Sequence, residues 1–349
     1  MSKNTNKKII VAMSGGVDSS VAAALLKKQG YFVVGVFMKF WKDGSDGKNR
    51  CCSIESEKLA RLVTKKIGIP FYIVNIEKKF KKKVVDYFLQ EYKKGNTPNP
   101  CVVCNKEIKF GFLIKKALSL GADFIATGHY AQIKNGRLLK GADKDKDQSY
   151  FLWQLNQKQL SRVLFPVGGY TKTEVRKLAK KFKLPTAGIP ESQEVCFIQN
   201  STNEFLKKYL KTKPGKILNS TGKIVGEHSG LWFYTIGQRK GLKINQGPWF
   251  VVDKNFKKNI LIVSKNKNDL LKKELVVKDV CWISGKEPKL PMKVKCKIRY
   301  KSELADALIR SNKGGGVKII FQKPQRAITP GQSAVFYKGN ELLGGGVIE

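Results

Sequence analysis

Acid is what this sequence most lacks. Its 349 residues carry 27 Asp and Glu against 67 Lys and Arg, a formal net charge of +40. Such an excess points to a polyanionic partner, nucleic acid above all, although near-exclusive use of lysine is also what a compositional bias would leave. No run of about 18 uncharged apolar residues occurs, and the opening MSKNTNKK has no apolar stretch of an export signal. The chain is therefore expected to be cytoplasmic and to make no membrane contact. The seven cysteines, at 51, 52, 101, 104, 196, 281 and 296, are an odd number without an export signal, which argues against a structural disulfide framework. Internal repeats and low-complexity linkers are absent. What remains is ordinary for a globular chain, 42% hydrophobic and 27% charged. The length exceeds what one core usually holds, so two or three domains are expected.

The most informative stretch is Ile9–Ser20, IIVAMSGGVDSS. A β-rich apolar run ends in Ser14-Gly15-Gly16-Val17-Asp18-Ser19, and an alanine-rich helix follows at once. Glycines at a strand-to-helix turn let backbone N–H groups face an anion, and the helix N-terminus adds its positive dipole end. No Gly-Lys-Ser/Thr closes the loop, so it is not a Walker A motif. On this stretch alone, the plainer alternative is a tight turn capped by Asp or Ser. The loop resembles the PP-loop of the N-type ATP pyrophosphatases, which cleave ATP to AMP and pyrophosphate.

Further along, Tyr31–Phe40, Phe71–Ile76 and Phe124–Ala131 read as strands, alternating with helices near 54–67, 79–94 and 106–120. That alternation predicts an α/β doubly wound parallel sheet over residues 1–200, with ligands beyond the strand C-termini, where Ser14–Ser19 and Thr127–Tyr130 fall. Thr171-x-x-Glu174 is a capping box opening a basic helix. After about residue 200 the pattern becomes short and β-rich. A small central domain is expected over 201–275, and a C-terminal β-barrel over 276–349 with Gly-Gly-Gly turns.

Several stretches could carry chemistry. In Asn96–Asn105, NTPNPCVVCN, two prolines hold a loop ahead of a helix and two cysteines follow. A thiol at a helix N-terminus in basic surroundings is activated; a zinc ribbon, a CxxC redox couple and a nucleophilic thiol all remain open. Cys196, in Gly188–Ile198, reads alone as a small buried hydrophobe. Lys146-Asp147-Gln148 suits hydrogen bonding to sugar, phosphate or base, or else a solvated N-terminus of an apolar helix. Tyr234–Gly241, YTIGQRKG, and Lys297–Tyr300 mix cations with aromatics, as RNA-gripping surfaces do and as plain barrel strands also do.

Taken in order, AMSGGVDSS, TPNPCVVCNKEIKF, ATGHYA, KDQSYFL, SQEVCFI, YTIGQRKGL, CKIRY and TPGQSAVFY resemble the tRNA-specific 2-thiouridylase family over nearly the whole chain. The resemblance implies ATP-dependent replacement of the 2-oxygen of the wobble uridine by sulfur. The oxygen is activated as an adenylate, and the sulfur comes from a cysteine persulfide. ATP with Mg²⁺ would bind at Ala12, Met13, Ser14, Gly15, Gly16, Val17, Asp18 and Ser19, with Met38 and Gly128 lining the pocket; no resident protein-bound metal is implied. Cys104 and Cys196 match the catalytic cysteines, the first as nucleophile and the second as persulfide carrier, able to end as a disulfide. Asn99, Pro100 and Cys101 match the segment that meets the target base. Lys146, Asp147, Gln148, His129, Arg299, Tyr300 and Gln332 match tRNA-contacting positions. Where several relatives carry Asp, this chain has Cys101, so no acid–base role carries over and a protecting Cys101–Cys104 disulfide becomes conceivable. The implied partners are the anticodon stem-loop of tRNA and a persulfide donor, such as a cysteine desulfurase or sulfur-relay protein, acting on a monomer. The rivals are another PP-loop tRNA-modifying or amidating synthetase, and a non-catalytic RNA-binding protein.

Overall fold

Five parallel strands carry the N-terminal half of the chain, whose computed structural model describes residues 6–43, 53–190, 195–245 and 247–349. β1 (Lys8–Met13), β2 (Phe32–Lys39), β3 (Phe71–Asn75), β4 (Phe124–Ala126) and a two-residue strand at Val163–Leu164 lie in the order β3-β2-β1-β4 with Val163–Leu164 outermost. The central β1 and β2 are near-continuous apolar runs because helices cover both faces. α1 (Val17–Lys28) is buried along Val21–Leu26, where alanines let the helix lie close to the sheet. This is the doubly wound architecture that the alternation predicted.

The expected strand over Phe124–Ala131 is shorter. It stops at Ala126, and β5 (Ala131–Lys134) and β6 (Arg137–Lys140) form a hairpin instead. Asn135 and Gly136 both take positive φ, the demand of a tight hairpin turn. The helix expected from residue 106 begins earlier, at Pro100, whose fixed φ suits a first turn. It runs to Ser119 through a π-helical stretch, Asn105–Phe112. No apolar helix follows Gln148. Ser149–Phe151 makes a single 3₁₀ turn, and Tyr150, Leu152 and Trp153 are all buried.

With Val163–Leu164 as β7, the rest is β-rich. β8 (Gly215–Asn219), β9 (Ile224–His228), β10 (Phe250–Asn255) and β11 (Ile260–Ser264) form a sheet ordered β10-β11-β8-β9. β12 (Leu271–Trp282), β13 (Met292–Lys297), β14 (Ala305–Ser311), β15 (Val317–Arg326), β16 (Ser333–Lys338) and β17 (Glu341–Ile348) close into an antiparallel barrel through β12–β17 pairing. The β5–β6 hairpin extends that sheet beside β17, tying the barrel to the N-terminal half. Of the two Gly-Gly-Gly runs, only Gly314–Gly316 is a turn. Gly344–Gly346 lies inside β17, where a Cβ at Gly345 would come within 2.9 Å of Trp153. Glycine there permits a close approach and does not reverse the chain.

Candidate functional site

β1 ends at Met13, and Ser14, Gly15 and Gly16 carry the chain into α1. Gly15 takes φ +77°, and a Cβ on it would lie 2.3 Å from the Ser56 carbonyl oxygen. Ser56 belongs to the first turn of the Ile54–Ile67 helix, so two helix N-termini converge on this loop. α1 has Gly16 as its N-cap and no side-chain capping bond, which leaves its first amides facing outward. Ser14 and Ser19 share a hydroxyl contact at 3.2 Å, Ser19 donates to the Gly16 carbonyl, and Ser14 is exposed at the mouth. Backbone amides, serine hydroxyls and two positive dipole ends suit a polyphosphate.

Gly128 follows β4 and crosses directly over α1, where a Cβ would sit 2.7 Å from the Asp18 carbonyl carbon and the Ser19 nitrogen. Ala12 is half-buried and Met13 and Met38 are buried, on adjacent strands beneath the loop. Val17 is buried at the start of α1. Asp18 accepts from the Tyr130 hydroxyl at 2.7 Å and from the Lys172 ammonium at 2.7 and 2.9 Å. Lys172, only 10% exposed, opens the helix capped by Thr171 and also lies over the Tyr130 ring. Tyr130 falls in the Thr127–Tyr130 stretch expected at the ligand end of the sheet, whereas Lys172 is not among the expected site residues. Tyr130 stands in the ATGHYA stretch; Lys172 lies 154 residues from Asp18, and only the capping box beside it gave a signal.

Cys101 lies in the first turn of the helix that begins at Pro100, and Cys104 is buried where that helix passes into its π-helical stretch. A π-helical turn is a feature often found at functional sites. The Pro100–Cys104 segment packs against Lys81–Val85 of the 77–93 helix. Cys196 precedes Phe197, whose ring meets Phe80 at 5.9 Å and Phe88 at 5.3 Å, on that same helix. Both cysteine segments therefore dock on one element although 92 residues separate them. Burial pushes the thiols of Cys281 and Cys296 upward. Cys51, Cys52 and Ser192–Glu194 lie outside the described residues. Among the described residues, no group of three His, Cys, Asp or Glu could hold a metal.

The remaining expected positions make contacts within the protein. His129 is 9% exposed between the rings of Phe110 and Phe165, with Nδ1 2.7 Å from the Thr127 hydroxyl. Burial, reinforced by Lys109, holds its pKa well below the ordinary 6.5. Asp147 accepts from the Gly141 and Ser149 amides and the Ser149 hydroxyl. The Gln148 side chain accepts from the Tyr130 amide, and the Lys146 amide donates to Asp143. Asn99 is half-buried at the start of the Pro100 helix, as its N-cap. Arg299 donates through one nitrogen to the carbonyls of Ile236 and Ala327 and to Thr329. Tyr300 packs on Phe151 at 4.5 Å, and Gln332 donates to the Thr97 carbonyl at 2.8 Å. The YTIGQRKG stretch starts with a buried Tyr234, so its aromatic end belongs to the interior.

Three consecutive family models match the chain: a tRNA methyl transferase HUP domain over residues 7–200, a tRNA methyl transferase PRC-barrel domain over 203–265, and an aminomethyltransferase β-barrel domain over 272–348. Curated relatives match from end to end. The tRNA-specific 2-thiouridylase MnmA 2 of Geobacillus kaustophilus is 47% identical, with 98% of this chain and 94% of the relative covered. The MnmA of Alkaliphilus oremlandii is 49% identical over 98% and 97%. That of Clostridioides difficile is 47% identical over 99% and 98%.

Proposed function

The chain belongs to the tRNA-specific 2-thiouridylase family, and from that premise we propose how its own residues carry out ATP-dependent 2-thiolation of the wobble uridine of tRNA. It is an enzyme, a tRNA-uridine 2-sulfurtransferase. The matching domain models are named for methyl transfer, but a phosphate cradle in one fold with two thiol segments on a common helix fits activation and sulfur transfer better than methylation. The division into 1–200, 201–275 and 276–349 is part of the same reading.

The 2-oxygen of uracil belongs to a urea-like carbonyl and is a poor leaving group. ATP supplies the activation, its phosphates lying on Ser14–Ser19 with the adenosine near Met38 and Gly128. Attack of the 2-oxygen on the α-phosphate expels pyrophosphate. Lys172 stands beside the loop as a cation able to exchange its Asp18 partner for phosphate oxygen. Asp18, the acid within the loop, would hold Mg²⁺ once released from Lys172, and the ion would share the charge of the phosphates.

A persulfide on Cys196, loaded by a cysteine desulfurase or sulfur-relay protein, then delivers its terminal sulfur to C2, and AMP leaves. Cys104 attacks the Cys196 sulfur, releasing the thiocarbonyl and leaving a Cys104–Cys196 disulfide for an external reductant. Asn99, Pro100 and Cys101 border the extruded base. Positive charge supplies most of the affinity for the anticodon stem-loop, and the enzyme works as a cytoplasmic monomer.

One observation carries this reading: the loop contacted by Gly128 and Tyr130 shares a fold with two cysteine segments that dock on one helix. AMP release in the presence and absence of tRNA tests it. Release that requires tRNA supports the enzyme; no release under either condition is the behaviour of an RNA-binding scaffold.

A further inference from the structure

Three parts of the chain meet at residues 234–236. Thr235 Oγ1 lies 3.2 Å from Thr97 Oγ1, in the loop that leads to Cys104. The Ile236 carbonyl accepts from Arg299 of the barrel. The Tyr234 carbonyl accepts from the ammonium of Lys254 on β10 at 3.0 Å, and the same ammonium donates to the Gly95 carbonyl at 2.5 Å.

Gly95 is the point from which the loop departs. It ends the 77–93 helix with φ +91°, and a Cβ there would fall 2.2 Å from the Phe256 ring. Beyond it, the Thr97 amide donates to the Pro330 carbonyl, and Gln332 holds the Thr97 carbonyl. Pro98 and Pro100 then limit the backbone freedom left before Cys104. The loop that presents Asn99 and Cys104 is thus held from the β10 side and from the barrel side.

Lys254 is the unusual member of this junction. A half-buried ammonium is costly unless hydrogen bonds compensate it, and a packed apolar side chain would fill the same space more cheaply. Burial lowers its pKa to about 8, against a partial opposing effect of Asp253. What an ammonium adds is a bond to each of two separate backbone segments, fixing the distance between them.

We propose that Lys254 is a positioning residue for the thiolation reaction, its ammonium joining the Gly95 and Tyr234 carbonyls so that the Asn99–Cys104 segment is held at the target base. It touches no reacting atom and acts through the loop. The proposal rests on the sulfurtransferase reading, and its test keeps the two separable.

The full chain is compared as wild type, Lys254→Met, and Lys257→Met, a neighbouring exposed lysine that controls for lost charge. Three quantities are read: kcat at saturating tRNA and ATP, tRNA Kd, and the rate of Cys104 alkylation by iodoacetamide. Lys254→Met is expected to lower kcat by about 10- to 100-fold, the scale of a small misplacement of reacting groups. Its tRNA Kd stays within about twofold of that of Lys257→Met, since neither variant removes more than one charge, and Cys104 alkylates faster. Wild-type kcat and alkylation rate in folded Lys254→Met overturn the inference. If that variant does not fold, Thr235→Val removes the neighbouring hydroxyl contact; a lower kcat at unchanged tRNA Kd supports the junction, and unchanged kcat and alkylation overturn it. A wild-type enzyme that does not thiolate defeats the functional reading instead, and the alkylation rates then decide the positioning claim alone.

Discussion

Alanine at position 128 is the sharpest perturbation of the nucleotide site. Gly128 has no left-handed backbone to lose, so the substitution adds one methyl group and little else. That carbon would lie 2.7 Å from the Asp18 carbonyl carbon and 2.7 Å from the Ser19 amide. Both are backbone atoms, which cannot swing aside as a side chain can. Retreat of α1 is resisted as well, because Tyr130 and Lys172 hold the Asp18 carboxylate. Overpacking of this kind costs about 1–3 kcal/mol, or about 5- to 150-fold in the equilibrium that bears it. The cost falls on the amides expected to hold the phosphates, so calorimetric titration with ATP should show affinity at least about fivefold weaker. Gly169→Ala is the control, since nothing lies within 4 Å of a Cβ there. It should leave ATP affinity unchanged and, by restricting the unfolded chain, stabilise by about 0.4–1 kcal/mol in urea titration. A Gly128→Ala enzyme that binds ATP and resists urea like the wild type would refute the geometry.

Cys104→Ser and Cys196→Ser should each abolish thiolation while tRNA Kd in a filter-binding assay stays near wild type; full activity in either contradicts the two-thiol mechanism. Binding of tRNA should weaken steeply as salt rises from 50 to 200 mM, by a factor on the order of 10³ if about six phosphates are neutralised, and a flat response would show that the lysine excess is not a binding surface. His129 is neutral in the folded chain with its pKa pushed down, whereas the unfolded chain titrates it near 6.5. Its contribution is complete above that value and is lost as pH falls below it, by up to about 1.4 kcal/mol per pH unit. Urea midpoints measured from pH 7 downward should therefore drop less steeply in His129→Phe, and identical slopes would show that the ring is not held neutral.

Local chemistry was legible in the sequence; long-range partnership was not. Ser14–Ser19 announced its loop because glycine, a preceding apolar run and a following alanine-rich stretch are all local signals. The Thr171 capping box was equally readable, and Glu174 does close it. The hairpin at Asn135-Gly136 carried its own turn signal and was overlooked beneath the apolar run before it. Arg299, Tyr300, Gln332 and Asp147 are cationic, aromatic or polar residues of the kinds that meet RNA. Their polar atoms or rings nevertheless serve contacts with Ile236, Phe151, Thr97 and Ser149. Which face such a residue turns to solvent depends on segments up to 235 residues away. Neither propensity nor periodicity holds that information. The Lys172–Asp18 pair stayed hidden for the same reason.

Nucleoside mass spectrometry of tRNA incubated with the protein, ATP and a persulfide donor tests the central claim most directly. The account predicts 2-thiouridine at the wobble position, formed only when ATP and donor are both present. Nucleosides left unmodified while ATP is consumed, or sulfur installed at another position of the tRNA, would contradict it.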